Sequence, residues 1–312
     1  SPIVYHEGVL LVNTYSCTLY AFDASTGKML WSKWLAGTIY STPSADSNSV
    51  YVVYNNGYSN PANPSESFVV TSFDLRSGKM NWINWIDKEV IACPVVEGKE
   101  VHVASQSGNY YVFDKISGKQ SLFSNNIKAV SSPTLTPQNI YVTASVNSRE
   151  QLVVLDRKTL QIKKKYPTHL ATKKINNRRS CYEQMNYNGA HPVVYKNHIV
   201  IITDSVSVTA FDANSEKILW QHSVSTHPNQ IPLVANEKVV LATAQGEIKT
   251  FDLATGVLVK TQKLKGNIDG QLLTNKGYMY VGAEGALSAV KVTPDVQWNQ
   301  WNKDARHNIY YK

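Results

Sequence analysis

Short apolar runs, each bounded by Gly, Asn, Asp or Lys, recur along the whole chain. They are Val9 to Val12, Val50 to Val53, Val101 to Val103, Ile140 to Val142, Ile199 to Ile202, Val239 to Leu241 and Tyr278 to Val281. Their β-branched and aromatic content and short length read as strands. Upstream of each lies an extended segment that holds Pro2, Pro43, Pro94, Pro133, Pro192 or Pro232, with Gln271 in the seventh place. Proline suits the start of a strand, where a missing N–H costs least. Downstream comes a third run ending in Phe-Asp or its equivalent, then a polar turn, then a fourth run that in several copies ends in Trp.

The polar turn could pass for a site. "YAFDASTGKMLW" sets Asp23, Thr26, Gly27 and Lys28 within six positions. It recurs, however, as "TSFDLRSGKMNW", "YVFDKISGKQSL", "VVLDRKTLQIKK", "TAFDANSEKILW" and "KTFDLATGVLVK", and more distantly as "SAVKVTPDVQW" with Lys291 in place of Asp. A catalytic group is rarely needed seven times, so a hairpin turn is the better reading. Asp and Thr or Ser cap nearby N–H groups there, and Gly takes a positive φ. A phosphate loop needs another glycine spacing and a following helix, and no helix-length periodic segment follows. Four strands in a unit of about forty residues, seven times over, predict an all-β fold. It is a seven-bladed β-propeller of four-stranded antiparallel blades. The blades are expected at about 1–37, 38–88, 89–126, 127–167, 185–225, 226–265 and 266–301. A basic insertion at 168–184 and a C-terminal tail at 302–312 complete one propeller domain. Trp31, Trp82, Trp220 and Trp298 are expected to lie flat against the outer part of the sheets as structural docking residues.

Ala21 to Trp31 completes the pattern Ala-x-Asp-x-x-Thr-Gly-x-x-x-Trp. This resembles the tryptophan-docking motif of the PQQ-like (quinoprotein-type) propellers, and the likeness covers nearly the whole chain. The tail "WNQWNKDARHNIYYK" also looks like segments flanking bacterial propellers of this type. Members include quinoprotein dehydrogenases and a non-catalytic outer-membrane assembly lipoprotein; they usually have eight blades, so seven repeats is a departure. The resemblance implies a bacterial envelope protein, periplasmic, exported or anchored at the outer membrane, that acts as a protein-binding scaffold. Its partner would be an envelope or outer-membrane assembly component. Two alternatives accompany this reading. One is a quinone- or sugar-binding enzyme, which for the dehydrogenases implies PQQ with Ca²⁺ held over a disulfide between adjacent cysteines. The other is a surface adhesin or carbohydrate binder.

Function is sought where the repeat is broken, since the scaffold does not need the extra residues. Insertions fall at Asn55 to Ser67, near "VNSREQ", and within "KKKYPTHLATKKINNRRSCYEQMNYNG". Alternate connections of an antiparallel blade emerge on one side, so all three are expected to decorate one face, opposite the Asp turns. Lys163, Lys164, Lys165, Lys173, Lys174, Arg178 and Arg179 put seven positive charges between 163 and 181 with no acid among them. The chain carries 31 basic and 23 acidic residues, net +8, so these seven removed leave 24 against 23, or +1. Candidate partner-binding residues are Lys173, Lys174, Arg178, Arg179, Tyr182 and, in the blade 2 insertion, Tyr58. Such a loop would meet an acidic protein or an anionic surface; a solvated loop is the other reading. Nucleic acid fits poorly, with only Tyr166 and Tyr182 near the charges for stacking and no nucleic-acid module present.

The remaining chemistry is sparse. Cys17, Cys93 and Cys181 form no metal-type pair, and none is adjacent to another. A Cys93–Cys181 bridge would form if the insertion folds back over the ring centre; unpaired thiols are the alternative. His169, His191, His222 and His227 gather around blades 4 to 6 and read as surface histidines rather than a metal cluster. "YHEG" lacks a second His four residues on, and no Gly-x-Ser-x-Gly, His-Glu-x-x-His or Cys-x-x-Cys occurs. No calcium set of Asp and Glu can be assigned. No catalytic, metal or cofactor residue is therefore expected. No apolar stretch approaches the roughly 18 residues of a membrane span. The sequence opens "SPIV" with neither Met nor signal peptide, which decides nothing about export.

Overall fold

The computed structural model describes residues 3–14, 16–37, 41–90, 93–146, 149–171, 191–196, 198–203, 207–224, 231–243, 245–268, 272–275, 278–283, 286–291, 304, 306–308 and 310–311. Its strands form seven antiparallel sheets in a ring, a seven-bladed β-propeller, with no helix among the described residues. Blade 1 is β1 (Val4–His6), β2 (Val9–Asn13), β3 (Thr18–Asp23) and β4 (Met29–Trp34). Blade 2 is β5 (Ser44–Asp46), β6 (Ser49–Asn55), β7 (Phe68–Asp74) and β8 (Met80–Ile86). Blade 3 is β9 (Val95–Glu97), β10 (Glu100–Ala104), β11 (Tyr110–Asp114) and β12 (Gln120–Ser124). Blade 4 is β13 (Thr134–Leu135), β14 (Asn139–Val146), β15 (Arg149–Asp156) and β16 (Ile162–Ala171). Blade 5 is β17 (Val193–Tyr195), β18 (Ile199–Thr203), β19 (Ser207–Asp212) and β20 (Lys217–Ser223). Blade 6 is β21 (Leu233–Ala235), β22 (Lys238–Ala242), β23 (Glu247–Asp252) and β24 (Leu258–Lys263). Blade 7 shows β25 (Leu273–Asn275), β26 (Tyr278–Ala283) and β27 (Ala286–Lys291). A final strand, β28 (Tyr310–Tyr311), pairs in parallel with β17.

Blades stack face to face, so their middle strands are covered on both sides. This is why Val50, Tyr51, Val52, Val53 and Tyr54 are all buried in succession rather than alternating. The core is correspondingly divided among the interfaces. One cluster joins Leu11, Leu19 and Trp31 of blade 1 to Ala45, Val50 and Val69 of blade 2. Others join blades 2 and 3 through Val53, Trp82 and Val101, and blades 3 and 4 through Val112, Leu135 and Val153.

The Asp turns lock these interfaces from the rim. In the first, Asp23 Oδ1 accepts from Ser25 Oγ (2.6 Å), Thr26 N (2.8 Å) and Thr26 Oγ1 (2.8 Å). Hydrogen bonding from Ser25 and Thr26 pulls its carboxyl down to about 2. Asp156 and Asp252 also fall to about 2, led by Lys163 and Lys238 respectively. Gly27, Gly78, Gly118 and Gly256 take φ of 70, 67, 72 and 70°.

The tryptophans do more than cover the sheet edge. Trp31 Nε1 donates to Leu75 O (2.9 Å), Trp82 Nε1 to Lys115 O (3.0 Å) and Trp220 Nε1 to Leu253 O (2.7 Å). Each acceptor lies in the turn of the next blade. A Cβ on Gly78 would sit 2.7 Å from Trp31, one on Gly118 2.6 Å from Trp82, and one on Gly256 2.5 Å from Trp220. Glycine is thus required twice, for its positive φ and for the indole lying on it. Where the tryptophan is missing, the next glycine is missing too. Leu122 takes the Trp position in blade 3 and shares a cluster with Leu160, which takes the Gly position in blade 4 at φ 58°. Lys164 takes it in blade 4 and is ion-paired with Glu216, at φ 62° in blade 5. Two positions at a time have changed together, keeping a contact across each joint. Trp298 lies outside the described residues.

Two differences from the expected layout have local causes. The "VNSREQ" segment is a lengthened hairpin rather than a loop, with β14 and β15 paired from Asn139↔Asp156 to Val146↔Arg149. Its partner β16 lengthens to match, pairing Ala171 with Arg149, so blade 4 continues past 167 into the segment assigned to the insertion.

Gly118→Ala should lower stability by about 2 kcal/mol or more, because the new methyl meets Trp82 at a positive φ. In a Trp82→Ala background the clash is gone, and the cost should fall to the roughly 1 kcal/mol of the φ penalty. Urea unfolding of the four proteins reads this coupling; additive effects would contradict the pairing. Acid acts through the turns. A carboxyl depressed from 3.8 to about 2 contributes stability above its unfolded value, and that contribution is lost as pH falls from about 4 to about 2. Asp252→Asn should therefore be less stable than wild type at pH 7, with the gap closing by pH 2.

Candidate functional site

The two faces of the ring differ in chemistry. On one, the Asp turns contact the first-to-second-strand turns of neighbouring blades: Arg76 Nη2 donates to Glu7 O (2.7 Å) and Lys115 Nζ to Asp46 Oδ2 (2.5 Å). Beneath it a buried chain runs Tyr110 Oη, His102 Nδ1 (3.1 Å), then His102 Nε2 to Glu100 Oε2 (3.1 Å). Arg157 completes it through Nε (3.0 Å) and Nη2 (2.7 Å) on Glu100. The His102 contact, ahead of Arg157, holds the Glu100 carboxyl at about 2, while burial keeps His102 below its ordinary value. The chain forms a joint between blades 3 and 4.

The opposite face carries the blade 2 insertion, and this segment is folded on itself. Asn60 N donates to Glu66 O (2.7 Å), Asn63 N to Asn60 O (3.0 Å) and Asn60 Nδ2 to Glu66 Oε2 (2.6 Å). Gly57 N is capped by Asn55 Oδ1 (2.8 Å), which raises Tyr58 into solvent at 78% exposure. The insertion leans on the end of blade 1, where a Cβ on Gly57 would lie 3.6 Å from Ala36 Cβ. Two residues before Ala36, at the end of β4, Trp34 is 71% exposed. Strand alternation explains it: Trp31 faces the core, so Trp34, three residues on, faces away. Trp85 occupies the same offset from Trp82 and is half-buried against the blade 1 and 2 core. The sequence signal for both was the doublet "WSKW" and "WINW", which recurs in the seventh repeat as "WNQW".

Around this aromatic sector the face is polar and well tied. Tyr111 Oη donates to Asp87 Oδ1 (3.0 Å), Asn109 Nδ2 to Asp87 Oδ2 (2.8 Å), and Ser107 Oγ also bonds Asp87. Nearby, Gln106 N donates to Glu89 O (2.8 Å), and burial pushes the Glu89 carboxyl up to about 8, so it is protonated at neutral pH. No group of three or more His, Cys, Asp or Glu is placed to hold a metal among the described residues.

The sequence-derived site residues divide three ways. Tyr58 is 78% exposed on the blade 2 insertion. Lys173, Lys174, Arg178, Arg179, Tyr182 and Cys181 fall outside the described residues, and with Cys181 goes the proposed bridge; Cys93 is buried with its Sγ 3.3 Å from Ser132 Oγ. The third group is a correction. Lys163, Lys164 and Lys165 do not belong to a basic loop: they lie at the turn end of β16, where Lys163 pairs with Asp156 (2.9 Å) and Lys164 with Glu216. At roughly 3.3 Å per residue, the far end of β16 is more than 20 Å away from these three lysines.

Comparison with known proteins follows this geometry. Outer membrane protein assembly factor BamB of Moranella endobia (strain PCIT) is 24% identical over 298 residues, spanning 91% of this chain and 72% of the relative. Among solved structures, BamB from Moraxella catarrhalis superposes with a TM-score of 0.66 at 15% identity, covering 95% of this chain and 88% of that one. A europium-containing methanol dehydrogenase superposes at 0.59 and 14% identity, covering 90% and 72%, which shows the fold alone. No described helix is long and apolar enough to cross a membrane. A family model described as outer membrane protein assembly factor BamB matches residues 1–89, 64–166 and 171–308, and the chain belongs to that family of quinoprotein-like propellers.

Proposed function

We propose that this protein is a non-catalytic protein-binding scaffold of the bacterial cell envelope and that it meets its partner with the insertion-bearing face. One observation carries the reading: two large aromatic side chains, Trp34 and Tyr58, stand in solvent, one at a strand end and one on a loop tied by its own hydrogen bonds. Such residues anchor interfaces when presented rigidly, since little conformational freedom is lost on binding. On the opposite face, Lys115 with Asp46 and Arg157 with Glu100 are paired across blade joints.

The family's description supports an outer-membrane assembly component as the partner, and a periplasmic or outer-membrane-anchored setting. Lys173, Lys174, Arg178, Arg179 and Tyr182 would add attraction for an acidic surface on that partner. The reading calls for no cofactor. PQQ with Ca²⁺, or a glycan, would belong to the dehydrogenase and adhesin alternatives.

Trp34→Ala combined with Tyr58→Ala should weaken partner binding by about 2 kcal/mol or more, roughly thirtyfold, without shifting the unfolding midpoint. A deletion of residues 172–183, which spares β16, should weaken it further and reduce its salt dependence. Crosslinking and recovery from envelope extract compares the three proteins. Equal recovery of the same partner by all of them would overturn the assignment of this face, whereas a new absorbance band on adding PQQ and Ca²⁺ would favour the enzyme.

A further inference from the structure

The first strand of each blade lines the hub, and its inner edge has no neighbour within the blade. In blades 2 to 5 that edge is not left open. The C-terminal tail runs along it and touches four blades in turn. His307, fully buried, donates from Nε2 to Pro43 O in blade 2 (3.0 Å). Val96 N of β9 in blade 3 donates to Arg306 O (3.0 Å). Asn308, also buried, accepts from Leu135 N of β13 in blade 4 (2.8 Å) and returns a hydrogen bond from Nδ2 to Leu135 O (3.1 Å). The same Nδ2 reaches Glu97 Oε2 (3.2 Å). β28 then lies parallel to β17 of blade 5, in register Val194↔Tyr310 and Tyr195↔Tyr311.

These contacts have the character of peptide recognition. The Asn308 amide presents one acceptor and one donor to the N–H and C=O of a single residue, which is what a neighbouring strand would present. The Pro43 carbonyl selects an N–H donor at position 307, and the Glu97 carboxylate selects the amide at 308. Two backbone segments, at β9 and β17, complete a strand-addition mode, in which main-chain bonds supply affinity and side chains supply selectivity. The start of the segment is shaped in advance: Asp304 Oδ1 accepts from Arg306 N (2.9 Å), Asp304 O accepts from His307 N (3.0 Å), and His307 turns at φ 58°. Burial, with His307 beside it, pulls His191 down to about 4.

We propose that the inner edge of blades 2 to 5 is a strand-addition site for an extended peptide, and that Asp304, Arg306, His307, Asn308, Tyr310 and Tyr311 belong to its ligand. The tail holds the ring closed from within by joining blades that are otherwise linked only through their neighbours, Pro43 to His307 and Leu135 to Asn308. The site is independent of the insertion-bearing face, and its test uses a different readout.

In the full chain, Asn308→Ala should speed hydrogen exchange at Leu135 and at Val194–Tyr195 tenfold or more, because buried backbone groups lose their partners. Exchange in the outer strands β4 and β8 should stay unchanged. A synthetic peptide of residues 302–312, added at millimolar concentration, should restore the protection, and the same peptide carrying Asn308→Ala should not. If Asn308→Ala fails to fold, refolding it with the wild-type peptide present should rescue it. Asn308→Gln, which moves the amide by one methylene, should show the same exchange pattern in milder form. Unaltered exchange at Leu135, a uniform rise throughout the ring, or a peptide that neither protects nor rescues would overturn the proposal.

Discussion

The indole of one blade lying on the glycine of the next blade's turn is the contact on which this ring depends. A propeller has no core shared by all its sheets; it has a series of joints, each burying the face of one blade against its neighbour. The apolar strands supply most of the burial, but burial alone is non-directional and would let blades slide. The rim contact fixes register, because a hydrogen bond from Trp Nε1 to the carbonyl after the Asp allows one position only. The substituted joints support this view. Leu122 with Leu160, and Lys164 with Glu216, keep a matched pair where the tryptophan and glycine are gone, and two non-glycine residues hold a positive φ to do so.

A ring of repeats has a second requirement, since its inner edge exposes backbone groups that no blade of its own can satisfy. The tail meets that requirement across blades 2 to 5, and it does so with buried polar residues, His307 and Asn308, rather than apolar ones. The choice is physical: a plug over strand edges must offer hydrogen bonds, as an apolar plug would leave the Leu135 and Val96 backbone groups buried without partners. Rim and hub thus use opposite means, an aromatic plate outside and an amide inside.

With both held, one face is free to vary. The blade 2 insertion and the long hairpin of blade 4 grow from it without disturbing a joint, because each extends an existing strand-to-strand connection. The insertion is held by its internal Asn caps, and Trp34 and Tyr58 stand exposed beside them. Charge is distributed differently from its appearance along the chain. Lys163 pairs with Asp156 within blade 4, and Lys164 pairs with Glu216 across the joint to blade 5.

Strand positions, blade number and turn chemistry were legible in the sequence because each rests on local periodicity repeated seven times: alternating or continuous apolar runs, a proline before the first strand, an Asp cap and a glycine at positive φ. The rim position of Tyr58 followed from counting connections. Other features depended on distances between residues far apart in the chain. The meaning of the glycines as seats for the preceding blade's indole needed Trp82 and Gly118 to be brought together, and the pairing of Lys164 needed Glu216 of the next blade. The tail was opaque for the same reason. Nothing in "DARHNIYY" marks it as a strand, and its partners Pro43, Val96, Leu135 and Val194 are gathered only by closure of the ring. A linear pattern records what each segment prefers; which backbone groups remain unsatisfied at the centre is decided only when all the blades are in place.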